Sequence, residues 1–171
     1  MTRRELEKLI TVHGKSLYGF CVHLTGRKDA GEELFQETML QALEHIGRIR
    51  ATDDLVLARN YCMGIAVRQN RLRIRRESAH AEIPFAEDGD IGGNLSDLLA
   101  AEDRFIRIRE MREVRSAVRA LPEKQREAVI LFYYSEMPVK EIAKTLRIPA
   151  GTVKSRLNSA KKALRKLLED R

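Results

Sequence analysis

The chain has 171 residues, 43% of them hydrophobic and 33% charged, with a formal net charge of +7. No run approaches the roughly 18 uninterrupted apolar residues of a membrane span, so no membrane insertion is expected, and the excess of Lys and Arg points to a polyanionic partner, nucleic acid before membrane. Cys21 and Cys62 stand far apart outside any C-x-x-C pair, which argues for buried small hydrophobes rather than metal ligands or a disulfide.

Charges at Arg3, Arg4, Glu5, Glu7 and Lys8 with no apolar run behind them lead to the expectation of no secretory signal and of cytoplasmic residence. Leu6, Leu9, Ile10, His13, Leu17, Phe20, Cys21 and Leu24 then keep one helical face over about five turns and stop near Thr25-Gly26. His13 on that face reads as a packed core histidine, and His23, His45 and His80 have no ligand spacing, so no metal site is expected. Asp29-Ala30-Gly31-Glu32 has the form of a capping box, with Asp29 as the cap. It opens a second helix to about Ile46 whose buried stripe is Phe35, Met39, Ala42, Leu43 and Ile46. The opposite side carries Glu33, Gln36, Glu37, Leu40, Gln41 and Glu44, an acidic and amide face that is either solvated or docked on a basic partner helix. Residues 47–54 read as a loop. Ala58, Tyr61, Cys62, Ile65 and Leu72 mark a third helix in which Arg59 to Arg76 holds six arginines and no acid, interleaved with Asn60, Tyr61, Gln69 and Asn70. Arginines with an aromatic and amides suit phosphate contact plus base stacking on a single strand; a merely structural basic helix is the alternative.

Charge divides the chain into three blocks. Residues 1–76 carry 14 basic and 9 acidic residues, 77–103 carry 8 acidic and no basic ones, and 104–171 carry 18 basic and 8 acidic ones. The middle block also holds Pro84, Gly89, Gly92 and Gly93, the composition of a linker between two small domains. From Arg104 a helical pattern returns with Ile108, Met111, Val114 or Arg115, Val118 and Leu121. Pro122 opens another helix, Glu123 to about Tyr134, with Ala128, Val129, Leu131 and Phe132 on its apolar side.

Residues 138–168 then read as a helix-turn-helix. Val139, Ile142, Ala143 and Leu146 recur at i, i+3, i+4 and i+7, Arg147-Ile148-Pro149 breaks the pattern, and Pro149 suits the first position of a new helix. In that helix Val153, Leu157, Ala160, Leu164 and Leu167 or Leu168 face inward. At about 100° per residue, Lys154, Ser155, Asn158, Lys161, Lys162 and Arg165 share the outer arc. A polar, basic, nearly acid-free arc suits the major groove, where Lys and Asn read base edges and the other cations neutralise phosphates. Gly151 adds to this, since the N–H groups of Ala150, Gly151 and Thr152 at the helix start are expected to approach a phosphate. The fold expected is all-α, two small helical domains joined by an acidic linker, with the helix-turn-helix in the second. No nucleophile-base pair or phosphate-cradling loop points to an enzyme, a cofactor or a small-molecule substrate.

The residues resemble the extracytoplasmic-function sigma factors of bacterial RNA polymerase over nearly the whole chain. Leu121 to Val129, Glu141-Ile142-Ala143 and Ile148 to Leu157 are similar to that family's fourth region, which binds the promoter −35 element. Thr25-Gly26, Asp29-Ala30, Glu33-Leu34 and Gln36-Glu37-Thr38 resemble its second region. The resemblance implies domains at 1–76 and 104–171 and a linker at 77–103. It implies core polymerase docking through Glu33, Leu34, Gln36, Glu37 and Leu40, and −10 reading and melting through Asn60, Tyr61, Arg68, Arg71, Arg75 and Arg76. It further implies −35 reading through Gly151, Thr152, Lys154, Ser155, Arg156, Asn158, Lys161, Lys162 and Arg165. At Tyr61, Arg68 and Leu72 the family more often has Trp, Asn and Asp. Core RNA polymerase, promoter DNA and an anti-sigma factor are the implied partners, and the linker is implied to lie in a basic channel of the polymerase. The rival is a stand-alone helix-turn-helix regulator, which would bind a palindrome as a dimer and has no use for a docking face at Glu33 to Glu44.

Overall fold

The computed structural model describes residues 2–48, 54–79 and 101–169, the side chains of the last stretch from 110 onward, and every regular element among them is helical. Seven α-helices follow in order: α1 (Arg3–Thr25), α2 (Lys28–Glu44), α3 (Leu55–Ala79), α4 (Ala101–Ala120), α5 (Glu123–Val129), α6 (Val139–Leu146) and α7 (Ala150–Glu169). A 3-10 turn, Ile46–Arg48, follows α2, and a π-type turn, Ile130–Tyr134, follows α5. No helix among the described residues is long and apolar enough to cross a membrane.

In the first unit, α1 opens on a reciprocal cap. The Glu5 N–H donates to Thr2 Oγ1 at 3.3 Å and the Thr2 N–H to Glu5 Oε2 at 2.6 Å, which satisfies two of the donors that a helix start leaves unpaired. It closes at Gly26, whose φ of +77° only glycine adopts without strain. Leu6, Leu9, Leu17, Phe20, Cys21 and Leu24 are buried as the spacing requires, whereas His13 is only half-buried and not a core histidine.

Two expectations for α2 are corrected. The helix begins at Lys28, so Asp29 is not its cap. Asp29 lies inside the first turn, where its carboxylate meets the positive helix end and pairs with Arg27. The buried line is Ala30, Leu34, Thr38 and Ala42, with Phe35, Met39 and Ile46 at its margin and Leu43 exposed. Gly31 explains the rotation: a Cβ there would lie 2.6 Å from Val22 Cα, so α2 crosses α1 backbone to backbone at this point. The Thr38 hydroxyl enters the core because it donates to the Leu34 carbonyl at 2.6 Å.

Asp54 starts α3 by accepting from the Val56 and Leu57 N–H groups at 2.9 and 3.4 Å. Ala58, Cys62, Met63, Ile65, Ala66 and Val67 are all buried, more than one stripe, because α3 packs on α1 and α2 and also on α6. Leu72, expected on the inner face, is exposed. The helix runs on through Glu77–Ala79 and α4 begins at Ala101, so both ends of the expected linker are helical; the rest of the acidic segment lies outside the described residues.

In the second unit, α4 packs on α7 and α5, with Val118, and Leu121 just after the helix, in one cluster with Val129 and Ala160. Met111 and Val114 are exposed instead of inward. After α5 the chain widens: the Ser135 N–H donates to Ile130 O at 3.1 Å and the Met137 N–H to Leu131 O at 3.0 Å, the wide bonding of a π-type turn. Ile142 and Leu146 bury the inner side of α6, which ends at Arg147 in the left-handed conformation, φ 55°, ψ 48°. Pro149 sits just ahead of α7, its carbonyl accepting from Thr152 and Val153 at 2.9 and 3.2 Å. Val153 and Ala160 are buried, Leu157, Leu164 and Leu167 half-buried, and Leu168 points out.

The two units share a core. One continuous cluster takes Leu17, Phe20, Met63 and Val67 from the first and Leu131, Met137, Ile142 and Val153 from the second, with α3 against α6 and α1 against the π-type turn. A cavity of about 170 Å³ lies at this seam, lined among others by Val22, His23, Val118, Val129 and Tyr134. Burial in the same core pushes the Cys21 and Cys62 thiols up to about 12, so both are inert small hydrophobes.

Candidate nucleic-acid and partner surfaces

The left-handed Arg147 and the Pro149 carbonyl set the angle at which α7 leaves α6, and with it which arc of α7 faces outward. Lys154, Ser155, Asn158, Lys161, Lys162 and Arg165 are all exposed. Arg165 is shared with Glu169 at 3.3 Å. Gly151 is exposed and a Cβ there would meet nothing within 4 Å, which leaves the helix start open to close approach. Thr152 is half-buried and its N–H is held by Pro149, so it is not a donor for a phosphate as expected. Arg156 departs further from expectation. It is half-buried, with Nη1 enclosed and without a hydrogen-bond partner, so it flanks the basic arc instead of belonging to it. What remains is a ridge of two amide or hydroxyl side chains among lysines, able to hydrogen-bond base edges and neutralise phosphates together.

The basic helix α3 is divided by its packing. Arg68, Arg75 and Arg76 are exposed, Tyr61 is half-buried, and Asn60 is only 6% exposed. Asn60 accepts from Arg59 at 3.2 and 3.3 Å, and the same guanidinium donates to the Ser135 carbonyl of the second unit at 3.4 Å. Burial lowers the pKa of Arg59, against the pull of Glu136. Arg71 reaches Glu127 of α5 through two hydrogen bonds, Nε to Oε1 at 2.7 Å and Nη2 to Oε2 at 2.5 Å, and this contact raises its pKa. Glu127 is fully buried. Sequence reasoning missed it, although its place four residues before the inward Leu131 was the available sign. Asn60 and Arg71 are therefore engaged within the chain in this arrangement, while Arg68, Arg75 and Arg76 face solvent.

On α2 the acidic and amide face stands clear: Glu33, Gln36 and Glu37 are exposed and Leu40 is 61% exposed among them. Leu43, also exposed, extends the apolar part. Leu34 does not belong to this face; at 1% exposure it is a core residue that anchors the helix beneath it. An exposed leucine inside a row of carboxylates and amides offers both the apolar centre and the charged rim of a docking surface.

A family model described as sigma-70 region 2 matches residues 9–80, and one described as sigma-70, region 4 matches residues 111–164. The ECF RNA polymerase sigma factor EcfG of Rhodopseudomonas palustris (strain TIE-1) is 31% identical over 153 residues, 90% of this chain and 79% of that protein. The ECF RNA polymerase sigma factor SigW of Bacillus subtilis (strain 168) is 25% identical over 174 residues, 95% of this chain and 88% of that protein. In fold, the chain is similar to the sigma factor RpoE solved in complex with the anti-sigma factor NepR from Bartonella quintana, with TM-score 0.73 and 22% identity over 97% of this chain and 98% of that one. It is also similar to CnrH in complex with the cytosolic domain of CnrY, with TM-score 0.66 and 19% identity over 99% and 90% of the two chains.

Proposed function

The chain belongs to the extracytoplasmic-function group of the sigma-70 family, an alternative sigma factor that binds core RNA polymerase and directs promoter recognition, and we propose that three of its surfaces divide that work. The α2 face of Glu33, Gln36, Glu37 and Leu40 docks on a basic helix of the core enzyme. The arginines of α3, with Tyr61 as a stacking platform, take the opened −10 strand. The outer arc of α7 reads the −35 element, Lys154, Ser155 and Asn158 at base edges and Lys161, Lys162 and Arg165 on phosphates. In this reading residues 1–76 and 104–171 are the two promoter-facing domains and the acidic stretch 77–103 joins them.

The observation that carries the reading is the exposed α7 arc, one-signed and held by a left-handed turn, on a chain whose α2 keeps a leucine among exposed carboxylates. The chain supplies promoter address and strand opening, and the polymerase performs the phosphodiester chemistry. Its place of action is the cytoplasm, where polymerase and chromosome meet. An anti-sigma factor is the regulatory partner this reading adds.

The docking surface is tested by Gln36→Ala combined with Glu37→Lys. Both positions are exposed, so the variant should fold with the parent's helix content. Like-charge contact with a basic clamp costs up to several kcal/mol, and association with purified core polymerase should be lost. Parent-like association of the folded variant would remove α2 as the docking element.

A further inference from the structure

Leu72 interrupts the exposed face of α3. It is 40% exposed, and its neighbours one turn away, Arg68 at i−4, Arg75 at i+3 and Arg76 at i+4, are exposed as well. The aliphatic residues around it in sequence are withdrawn: Ile65 and Val67 are buried and Ile74 is half-buried. Burial stabilises a fold only through the area removed from water, so folding gains less from Leu72 than from these. At about 100° per residue, Tyr61 falls on the same arc, eleven positions earlier and about 16.5 Å along the axis at 1.5 Å per residue. Tyr61 and Leu72 therefore meet different nucleotides of a strand laid along α3.

A leucine so placed can recognise only apolar groups. It has neither donor nor acceptor for the hydrogen bonds by which base edges are read, while the guanidinium groups around it suit the phosphates of the strand. The base edges of DNA display one apolar group, the C5-methyl of thymine. Carbonyl and amino groups of the other bases, set against Leu72, would lose water without gaining a partner. We propose that Leu72 is a specificity-determining residue of the −10 surface, which seats the C5-methyl group of one thymine of the opened strand between the phosphate contacts of Arg68, Arg75 and Arg76. The inference rests on the reading of α3 as the −10 helix and deepens it by naming a base. Arginines alone would hold any strand; the leucine makes the grip prefer thymine.

Deoxyuridine isolates the contact, because it differs from thymidine in that methyl group only. Holoenzyme reconstituted from the full chain and purified core polymerase is titrated with a single-stranded thymidine 20-mer and a deoxyuridine 20-mer, with core enzyme alone as the baseline. Removing one methyl from an apolar contact costs about fourfold in affinity, so the parent should prefer the thymidine strand by about fourfold beyond the baseline. Leu72→Ala, an exposed change to a strong helix former, should bring the preference close to the baseline. Leu72→Met, which keeps an apolar side chain of similar size, should retain most of it. A parent without the preference, a preference unchanged in Leu72→Ala, or one lost to the same extent in Leu72→Met would overturn the methyl contact. The underlying reading fails in a different way. Arg68→Ala combined with Arg75→Ala should weaken binding of both strands alike and reduce the salt slope by about 0.7 for each charge removed. An unchanged slope would overturn α3 as the strand-binding helix, and the Leu72 contact with it. A reduced slope together with an unchanged preference in Leu72→Ala would keep the helix in its role and overturn the leucine alone.

Discussion

A side chain on α7 that reads a base differs from one that only neutralises a phosphate in how its loss depends on sequence. Replacing Asn158 or Lys154 by Ala should cost about 1–3 kcal/mol on the preferred −35 sequence and relax preference there. Lys161→Ala and Lys162→Ala should weaken all sequences alike and reduce the salt slope by up to about one unit each. Binding isotherms on cognate and scrambled duplexes across a salt series separate the two, and equal losses on both duplexes for Asn158→Ala would contradict base reading by that residue. Arg147 makes a stability prediction. A left-handed residue with a side chain costs roughly 1–2 kcal/mol, and glycine at that helix end regains part of it, less its greater entropy when unfolded. Arg147→Gly should raise Tm by about 2–4 °C; an unchanged or lower Tm in a calorimetric scan would mean that the Arg147 side chain contributes what the backbone loses. At this scale the outer arc of α7 was legible because charge and helical period agree. Leu34 and Arg156 were misplaced because hydropathy does not distinguish a leucine under a face from one on it, and because a long guanidinium chain can lie along the protein with its head tucked in.

The contact of α1 with the π-type turn places a titratable ring in a closed setting. Burial first, then Arg115 and Arg119, lowers the pKa of His23, and the Tyr134 ring covers it. The unfolded chain therefore binds this proton more readily than the folded one, and stability falls where that difference is populated. The contribution of His23 should be intact above about pH 6.5 and be lost as pH falls from there through the lower folded value. Urea midpoints at about pH 7.5 and about pH 5.5 test this: the parent should lose more than His23→Gln over that interval, and parallel losses would show that other groups set the acid limb. Helix existence and most inner stripes were readable from period alone. Helix starts were not, since Thr2-x-x-Glu5 and Asp29-x-x-Glu32 share a pattern and only the first is a capping box, Asp29 being drawn inside the helix with Arg27 beside it. The π-type turn has no composition signature, so Tyr133 and Tyr134 read as a plain continuation of α5.

Across the whole molecule, the three charge blocks suggested two helical units on either side of an acidic stretch, and the two family models match residues 9–80 and 111–164. The seam between the units was not legible. The period marked Ala58, Tyr61, Cys62, Ile65 and Leu72 and passed over Met63, Ala66 and Val67, which are also buried, because nothing local says that α6, some 80 positions later, packs on the same helix. For the same reason the arginines of α3 read as uniformly available, whereas packing holds Arg71 and leaves Arg68, Arg75 and Arg76 outside. The account as a whole stands on promoter-directed initiation. Its most direct test is transcription by purified core polymerase on fragmented genomic DNA, with the RNA 5′ ends mapped in the presence and absence of this protein. The account predicts discrete start sites that appear only when both are present, each preceded by two shared sequence blocks held at one fixed spacing. Start sites that are the same with and without the protein, or DNA binding that is undiminished when polymerase is left out and centred on a palindrome, would contradict it.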